Sequence, residues 1–343
     1  MKIKELALMS MWKILIIDDA IYAEDITSQR IKIDDDETDV CHGDVIEIDD
    51  KGKINILHNG KSESGLIFIT NQCNSNCIMC PDSIFSRTKK SEITTEYLLN
   101  YINLLPSDLL HVDVTGGEPT LLKYDLVVVL ENVIEHFERA DILMLSNGRS
   151  FASKEYTKKF AEFQESRLKI EIPIHAATAP LHDKIAGCKG GFKQTMTGIH
   201  NLIKQKIPVG IRIVVSKLNY RYLNDIIDMI SEHFPMITYV NIMGLELMGS
   251  AFRNKKDVWI EFDEVKASLN KVIEHAFIKG IEPRLYNYPL CMFDKKYWYC
   301  YKKSITAYKI RYFEECDKCS QKNNCGGFFA STFYNTDFKV KIL

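Results

Sequence analysis

From residue 65 to residue 280, short apolar segments typical of β-strands alternate with longer segments whose apolar positions recur every three to four residues, as in amphipathic helices. Six strand–helix pairs are predicted, at 66–70 and 94–105, 109–115 and 124–137, 142–146 and 154–163, 168–175 and 192–204, 209–215 and 220–233, and 237–243 and 264–279. Consecutive βα units predict a parallel sheet with right-handed crossovers. A complete eight-unit barrel takes about 250 residues. This shorter region therefore predicts an α/β fold of the partial (β/α)6 barrel type.

The chain extends beyond this region on both sides. Residues 1–64 contain four predicted strands, at 13–17, 30–33, 44–48 and 53–57. The sequence Asp49-Asp50-Lys51-Gly52 is typical of a hairpin turn between the last two. We interpret residues 1–64 as a small β-rich N-terminal extension, 65–280 as the barrel and 281–343 as a Cys-rich C-terminal region.

Composition and charge exclude several classes of protein. Lys and Arg total 44 against 46 Asp and Glu, a net charge of −2, which argues against a broad nucleic-acid surface. Basic clusters at 87–90, 253–256 and 295–303 are interpreted as solvated helix ends and loops. The apolar run 12–17 is too short for a secretory signal, and no segment has the ~18 apolar residues of a membrane span. We expect a soluble, cytoplasmic protein whose ten cysteines serve metal or redox chemistry.

Three of the cysteines directly follow the first predicted strand. Cys73, Cys77 and Cys80 lie in a segment whose Asn and Ser residues favour turns, at the barrel face where such folds place active sites. Three thiolates can each hold one iron of a four-iron cluster. The fourth iron is then open to the amino and carboxylate groups of a small ligand. A structural zinc site or unrelated buried thiols are the alternatives, but structural zinc takes four ligands, and no fourth Cys or His lies nearby in the sequence.

A second motif follows the second predicted strand and should lie at the same face. In the sequence Thr115-Gly116-Gly117-Glu118-Pro119, the two glycines permit a close approach of the backbone to a ligand. Glu118 offers a carboxylate to an ammonium group. Gly-Gly-Glu alone is common in turns, but beside the cysteine loop it favours a shared ligand site.

The two motifs together resemble the radical S-adenosylmethionine (SAM) superfamily. The resemblance implies that Cys73, Cys77 and Cys80 hold a [4Fe–4S] cluster, that SAM binds its open iron, and that Gly116, Gly117 and Glu118 bind the SAM amino group. It also implies reductive cleavage of SAM to methionine and a 5′-deoxyadenosyl radical, which abstracts hydrogen from the substrate. An electron donor such as flavodoxin or ferredoxin would reduce the cluster.

Further positions match the family pattern or depart from it. Ser146 and Asn147 end the third strand, where family members contact the ribose or methionine part of SAM. Arg212 on the fifth strand pairs either with the SAM carboxylate or with an ordinary strand-end partner.

Two departures concern the same cofactor. Met79 replaces an aromatic residue and can pack on adenine through its polarizable sulfur. Pro173 stands where a serine is common, and proline donates no hydrogen bond. His175 is a candidate to take that role, and a core histidine is the alternative.

Cysteines return after residue 280. Cys291, Cys316, Cys319 and Cys325 supply four thiolates, enough to close an auxiliary [4Fe–4S] cluster. A zinc knuckle is the alternative, because four cysteines with a Cys-x2-Cys pair also suit zinc. Cys300 could replace Cys291 as the fourth ligand. The remaining two cysteines, Cys41 and Cys188, are interpreted as structural. Cys188 lies in a glycine-rich loop that could face the barrel mouth, so participation in the radical chemistry is the alternative for it.

The C-terminal region resembles the His-Xaa-Ser system radical SAM maturases of the HxsC type. The likeness covers residues 65–332, and its most specific part is Cys325-Gly326-Gly327-Phe328-Phe329-Ala330-Ser331. It implies a ribosomally made precursor peptide as the substrate and a second radical SAM protein as a partner. A radical SAM enzyme acting on a small metabolite or nucleoside, and a non-catalytic Fe–S or zinc scaffold, are the alternatives.

Overall fold

The computed structural model describes residues 10–17, 20–34, 39–49, 51, 53–305, 307–336 and 338–343. The chain forms two compact units. The first comprises Met1–Gln72, Lys90–Leu145 and Lys159–Lys169, and the second Cys73–Lys89, Ser146–Lys158 and Ile170–Leu343. The predicted three-part division at residues 64 and 280 remains a prediction.

The N-terminal strands form a five-stranded antiparallel sheet in the order β3-β2-β1-β4-β5. They are β1 (Met11–Ile17), β2 (Ala20–Glu24), β3 (Arg30–Ile33), β4 (Val45–Ile48) and β5 (Ile54–His58). The apolar side chains of one face form a small core, made of Trp12, Ile14, Ala23, Ile33, Ile46 and Ile48. The four predicted strands are confirmed. Strand β2 was missed because Ala23 is its only fully buried residue, so it carries little apolar alternation.

Strands β4 and β5 pair as the predicted hairpin. The Asp49 N–H donates to the Lys53 carbonyl (3.0 Å), and the Asp49 carboxylate accepts the N–H groups of Lys51 and Lys53 (3.0 and 2.9 Å). Two residues of the predicted turn, Asp50 and Gly52, lie outside the described residues.

The second sheet has seven strands that follow one another in sequence order. They are β6 (Ser64–Phe68), β7 (His111–Thr115), β8 (Asp141–Leu145), β9 (Leu168–Pro173), β10 (Val209–Val214), β11 (Tyr239–Met243) and β12 (Glu282–Tyr286). The pairs within β6–β8 and within β9–β12 are parallel. All six predicted barrel strands are present.

The predicted count of six strands was one too low, because β12 lies beyond the predicted boundary at residue 280. Its sequence contains Pro283, and proline disfavours a strand in the interior of a sheet. Strand β12 is at the end of the strand order, where proline is tolerated. It is followed by two 3-10 turns, Leu290–Met292 and Lys295–Cys300, rather than by an α-helix.

Six of the described α-helices match the six predicted segments, and five others, of four to eight residues each, were not predicted. They are α1 (Ile84–Thr88), α2 (Thr95–Leu104), α3 (Asp125–His136), α4 (Lys154–Lys158), α5 (Ala179–Ala186), α6 (Gly191–Lys204), α7 (Leu223–His233), α8 (Gly249–Arg253), α9 (Lys255–Val258), α10 (Phe262–Ile278) and α11 (Ala330–Asn335). The predicted helix at 154–163 is α4 followed by a 3-10 segment, Lys159–Phe163. None of the described helices is long and apolar enough to span a bilayer.

Strands β9 to β12 differ on their two faces. One face carries fully buried apolar residues such as Ile172, Ile211 and Val240. The other carries the polar residues Glu171, Arg212, Asn241 and Arg284, and the last three are in register on neighbouring strands. Buried parallel strands are usually apolar on both faces. The polar face is therefore the side of this sheet whose side chains can bind a ligand or take part in a reaction.

The C-terminal part contains one short antiparallel pair, β13 (Ile310–Arg311) with β14 (Phe328–Phe329). Two 3-10 turns, Glu314–Lys318 and Lys322–Asn324, lie between these strands. The cysteines of this region therefore lie on short turns.

Candidate active site

The first cysteine loop begins directly after β6. Cys73, Cys77 and Cys80 are half-buried, and the Cys80 N–H donates to the Cys77 carbonyl (3.2 Å). The N–H groups of Asn76 and Ile78 donate to carbonyl groups at the end of α5, at 3.0 Å each. The loop backbone is therefore held in place by protein contacts.

The three thiols also interact electrostatically. Burial, and then the negative charges of Cys80 and Cys73, raise the pKa of Cys77 to about 12, and the charge of Arg87 acts in the opposite sense. Burial raises the pKa of Cys80 as well. Without metal the Cys77 and Cys80 thiols are therefore protonated at neutral pH, and a bound metal cluster would displace these protons.

The Gly-Gly-Glu turn packs on the residues that lead into this loop. The Gly117 N–H donates to the Thr70 carbonyl (2.6 Å), and the Glu118 N–H donates to the Gln72 carbonyl (2.8 Å). A Cβ at Gly116 would overlap the Thr70 carbonyl oxygen, and one at Gly117 would overlap that of Gln72. The glycines are thus required for a close approach to the chain's own backbone. Their predicted contact with SAM remains a prediction.

Glu118 is fully buried and begins the 3-10 turn Pro119–Leu122. One oxygen of its carboxylate accepts the N–H (3.2 Å) and the hydroxyl (2.6 Å) of Thr120. These bonds fix the orientation of the side chain. Glu118 therefore caps a turn, in addition to its predicted role toward an ammonium group.

Asn147 and Arg149, which follow β8, both bind the cysteine loop. The Asn147 amide donates to the side chains of Asn74 (2.7 Å) and Ser75 (3.4 Å). The Arg149 guanidinium donates to the Asn74 carbonyl, to the Ser75 hydroxyl (3.1 Å) and, through Nε, to Gln194 (2.7 Å). Ser146 is buried, and its hydroxyl accepts the Gly148 N–H (3.0 Å). The structure thus assigns Asn147 a role toward the loop, whereas its predicted contact with SAM is untested.

A buried arginine holds the same loop from another side. Arg87 on α1 donates to the Ser75 carbonyl (3.3 Å), the Asn76 side chain (3.2 Å) and the Ser250 hydroxyl (2.9 Å). The interpretation of 87–90 as a solvated cluster is wrong for this residue, since only 5% of Arg87 is exposed. Reasoning from the sequence missed both Arg87 and Arg149. A usable signal was Ser83, an N-cap residue that begins a short helix soon after Cys80 and turns Arg87 back toward the loop.

Arg212 lies on the polar face of the sheet. Its Nε is 3.6 Å from a carboxylate oxygen of Glu171, whose other oxygen accepts the Asn241 amide (2.6 Å). The same Nε lies 3.1 Å from the Met243 sulfur. The strand-end ion pair, the alternative to a SAM-carboxylate contact, is therefore present.

Two histidines lie just after β9. The ring centroids of His175 and His182 are 5.0 Å apart, and His182 Nδ1 accepts the His175 N–H (3.2 Å). Burial lowers the pKa of His175 to about 3 and that of His182 to about 4. Both rings are therefore neutral at physiological pH. Met79, the candidate for packing on adenine, is buried in the structure.

The C-terminal cysteines converge. Four residues of this region, Cys291, Cys316, Cys319 and Cys325, line one small cavity together with aromatic and aliphatic side chains. Burial raises the pKa of Cys291 to about 11. The negative charges of Cys325 and Cys316 add to this increase, and a hydrogen bond from the Lys341 backbone opposes it. The N–H groups of Leu290 and Gly327 lie 3.3 and 3.4 Å from the Cys325 sulfur.

Cys300 is buried outside this cavity, near Tyr299, Lys302 and Glu282. Of the two candidates for a fourth ligand, the structure therefore places Cys291 with the other three cysteines. Among the residues that the structure describes, no group of three or more Cys, His, Asp or Glu side chains is arranged so that it could hold a metal ion. The fit of both cysteine sets to an Fe–S cluster rests on their thiol chemistry, their shared loop or cavity and their mutual electrostatics.

The segment that contains the first cysteine loop also matches a known protein family. Residues 67–230 match the Radical SAM superfamily. The matched segment contains the first cysteine loop, the Gly-Gly-Glu turn, Arg87 and Arg149. The comparison therefore supports a likeness of this segment to that superfamily.

Individual relatives are distant. The Fe-coproporphyrin III synthase of Methanosarcina barkeri is 28% identical over 181 residues, which is 51% of this chain and 43% of that protein. The sporulation killing factor maturation protein SkfB of Bacillus subtilis is 26% identical over 162 residues, 47% of this chain and 37% of SkfB.

Among solved structures, Streptococcus suis SuiB bound to the precursor peptide SuiA shares the fold, with a TM-score of 0.52 and 13% identity over 66% of this chain and 48% of SuiB. This chain spans less than half the length of each of the three proteins.

Proposed function

We propose that this chain is a radical SAM enzyme that modifies a ribosomally made peptide. The observation that carries the proposal is the position of the Gly-Gly-Glu turn, hydrogen-bonded to Thr70 and Gln72 directly before Cys73. The turn is thus bonded to the residues that lead into the first cysteine loop. When bound, the cluster and SAM supply the abstraction of hydrogen from an unactivated C–H bond.

The chain's own residues would hold and orient these groups. Cys73, Cys77 and Cys80 would hold three irons, and the Asn147 and Arg149 contacts keep their loop in place. Glu118, already oriented by Thr120, would bind the SAM ammonium group.

The cysteine-lined cavity in the C-terminal part supports a second proposal, an auxiliary [4Fe–4S] cluster ligated by Cys291, Cys316, Cys319 and Cys325. Four protein thiolates leave no iron open for SAM. The cluster would therefore transfer electrons or place the substrate. A zinc knuckle stays the alternative for this cavity.

A peptide substrate is favoured by two kinds of likeness. SkfB is named a maturation protein, and the SuiB structure contains a precursor peptide. The run from Cys325 to Ser331 adds the resemblance to the HxsC type, with a second radical SAM protein as a partner. The Fe-coproporphyrin III synthase relative supports the competing proposal of a small-molecule substrate.

The substrate class can be tested with peptides encoded by short reading frames beside the gene. We expect the reduced enzyme with SAM to change the mass of one such peptide and to form 5′-deoxyadenosine in proportion. Mass spectrometry of the peptide and chromatography of the nucleoside measure both. If a porphyrin or nucleotide is converted instead and every peptide is returned unchanged, the peptide proposal fails.

Glu118→Gln tests the SAM ammonium contact. A charge-assisted hydrogen bond contributes roughly 1.5–3 kcal/mol, so its loss should weaken SAM binding about ten- to a hundred-fold. Glutamine keeps an oxygen that can accept from Thr120, so the turn is preserved. Anaerobic equilibrium titration of the cluster-loaded protein gives the dissociation constant.

The matched control for Glu118→Gln is Thr120→Val, which removes the hydroxyl bond to the same carboxylate and keeps the charge. It should change SAM affinity less than Glu118→Gln does. An unchanged affinity in Glu118→Gln would refute the assignment at this position.

A further inference from the structure

The guanidinium of Arg87 is buried without a carboxylate partner. Three of its nitrogens donate to neutral oxygens, namely the Ser83 carbonyl through Nε (3.5 Å), the Ser75 carbonyl, and the side chains of Asn76 and Ser250. Within the described ranges, no Asp or Glu forms an ion pair with it. A buried charge costs free energy unless an opposite charge offsets it.

The cysteine loop would supply that opposite charge when it holds a cluster. Arg87 contacts Ser75 and Asn76, which precede Cys77 in the chain. Its positive charge favours the thiolate forms of both Cys77 and Cys80. An iron–sulfur cluster held by Cys73, Cys77 and Cys80 would place negative charge beside the loop residues that the guanidinium contacts.

We propose that Arg87 is a positioning residue for the cluster, which fixes the loop between Cys73 and Cys77 and raises the reduction potential of the cluster through its buried positive charge. This inference rests on the proposed function. In the step concerned, the cluster gains one electron and no proton from a reductant of the flavodoxin, ferredoxin or dithionite class, which is oxidised by one electron. The cluster thereby becomes more negative by one charge, and a nearby cation stabilises that state.

The two roles of Arg87 are separable by substitution. Arg87→Met removes both the charge and the hydrogen bonds. Arg87→Lys keeps the charge but lacks the planar fork that reaches Ser75, Asn76 and Ser250 together. Arg253→Met, a change of the same type at an exposed position on α8, is the matched control.

The test is the midpoint potential of the SAM-binding cluster. Dye-mediated titration under anaerobic conditions, followed by electron paramagnetic resonance, identifies this cluster by the change of its signal when SAM is added. We expect a more negative potential in Arg87→Met, a potential near that of wild type in Arg87→Lys, and no change in Arg253→Met. An Arg87→Met protein with a full cluster and the wild-type potential would overturn the inference.

Arg87→Met could also fail to bind the cluster, and Arg87→Lys then decides. If Arg87→Lys takes up the cluster at nearly the wild-type potential, the charge is the necessary element and the inference stands. If neither variant takes up the cluster and both unfold at lower temperature without iron, Arg87 is structural only and the inference is wrong. A wild-type protein without a cluster on Cys73, Cys77 and Cys80 would instead refute the proposed function.

Discussion

Replacing Cys73, Cys77 and Cys80 together by alanine should abolish the formation of 5′-deoxyadenosine and remove one cluster from the protein. Because each thiolate would hold a separate iron, the triple variant has no remaining ligand at this site. If both proposed clusters are of the four-iron type, iron should fall from about eight to about four per chain after anaerobic reconstitution. Iron and sulfide analysis and chromatography of the nucleoside measure the two losses.

The fitting control for the triple variant is Cys188→Ala. Cys188 is half-buried, and the structure places it on the turn between α5 and α6, with no predicted ligand role. This variant should keep its iron content and its SAM cleavage. SAM cleavage at the wild-type rate in the Cys73, Cys77 and Cys80 triple variant is the result that would contradict the assignment.

Cys316→Ala combined with Cys319→Ala should remove the proposed auxiliary cluster and abolish substrate modification. The first cluster has its own ligands, so some unproductive SAM cleavage should survive. Iron should again fall from about eight to about four per chain. Finding about four irons in the wild-type protein, with zinc bound in the C-terminal cavity, would leave a structural knuckle in place of the cluster.

Single variants identify the fourth ligand of this cavity. Cys291 lines the cavity with the other three cysteines, whereas Cys300 is buried elsewhere. Cys291→Ala should therefore lose the auxiliary cluster and Cys300→Ala should keep it. The opposite result would restore Cys300 as the ligand.

The seven-stranded sheet was largely predictable from the sequence. Its strands are short apolar runs, and the segments that connect them have clear helical periodicity. The prediction failed at β12, because Pro283 weakens the strand pattern in the sequence. The proline is tolerated because β12 is an edge strand of the sheet. It also failed at β2, where a single buried alanine gives almost no alternation. Both failures occur where tertiary position, rather than local pattern, decides the conformation.

Motif spacing grouped the cysteines into two candidate sites, whose ligand roles stay predictions, but it said nothing about the residues that support them. The sequence predicted a solvated Arg87, because runs of basic residues are usually solvated. Only the fold shows that the Arg87 side chain is buried and bonded to Ser250. The glycines of the second motif were read as making room for a ligand. The structure shows that they also make room for the carbonyl groups of Thr70 and Gln72.

Two backbone carbonyl groups of the first cysteine loop accept hydrogen bonds from residues that are synthesised much later. The Cys80 carbonyl accepts the Ala251 N–H (3.1 Å), and the Ile78 carbonyl accepts the Asn254 side chain (2.9 Å), 176 positions further along the chain. At a translation rate of about 5–20 residues per second, roughly 10–30 s pass between the emergence of the cysteines and that of these partners. Iron–sulfur delivery to a shorter nascent chain would meet a loop that still lacks these two contacts. Efficient loading is therefore expected only after residues 251–254 have left the ribosome.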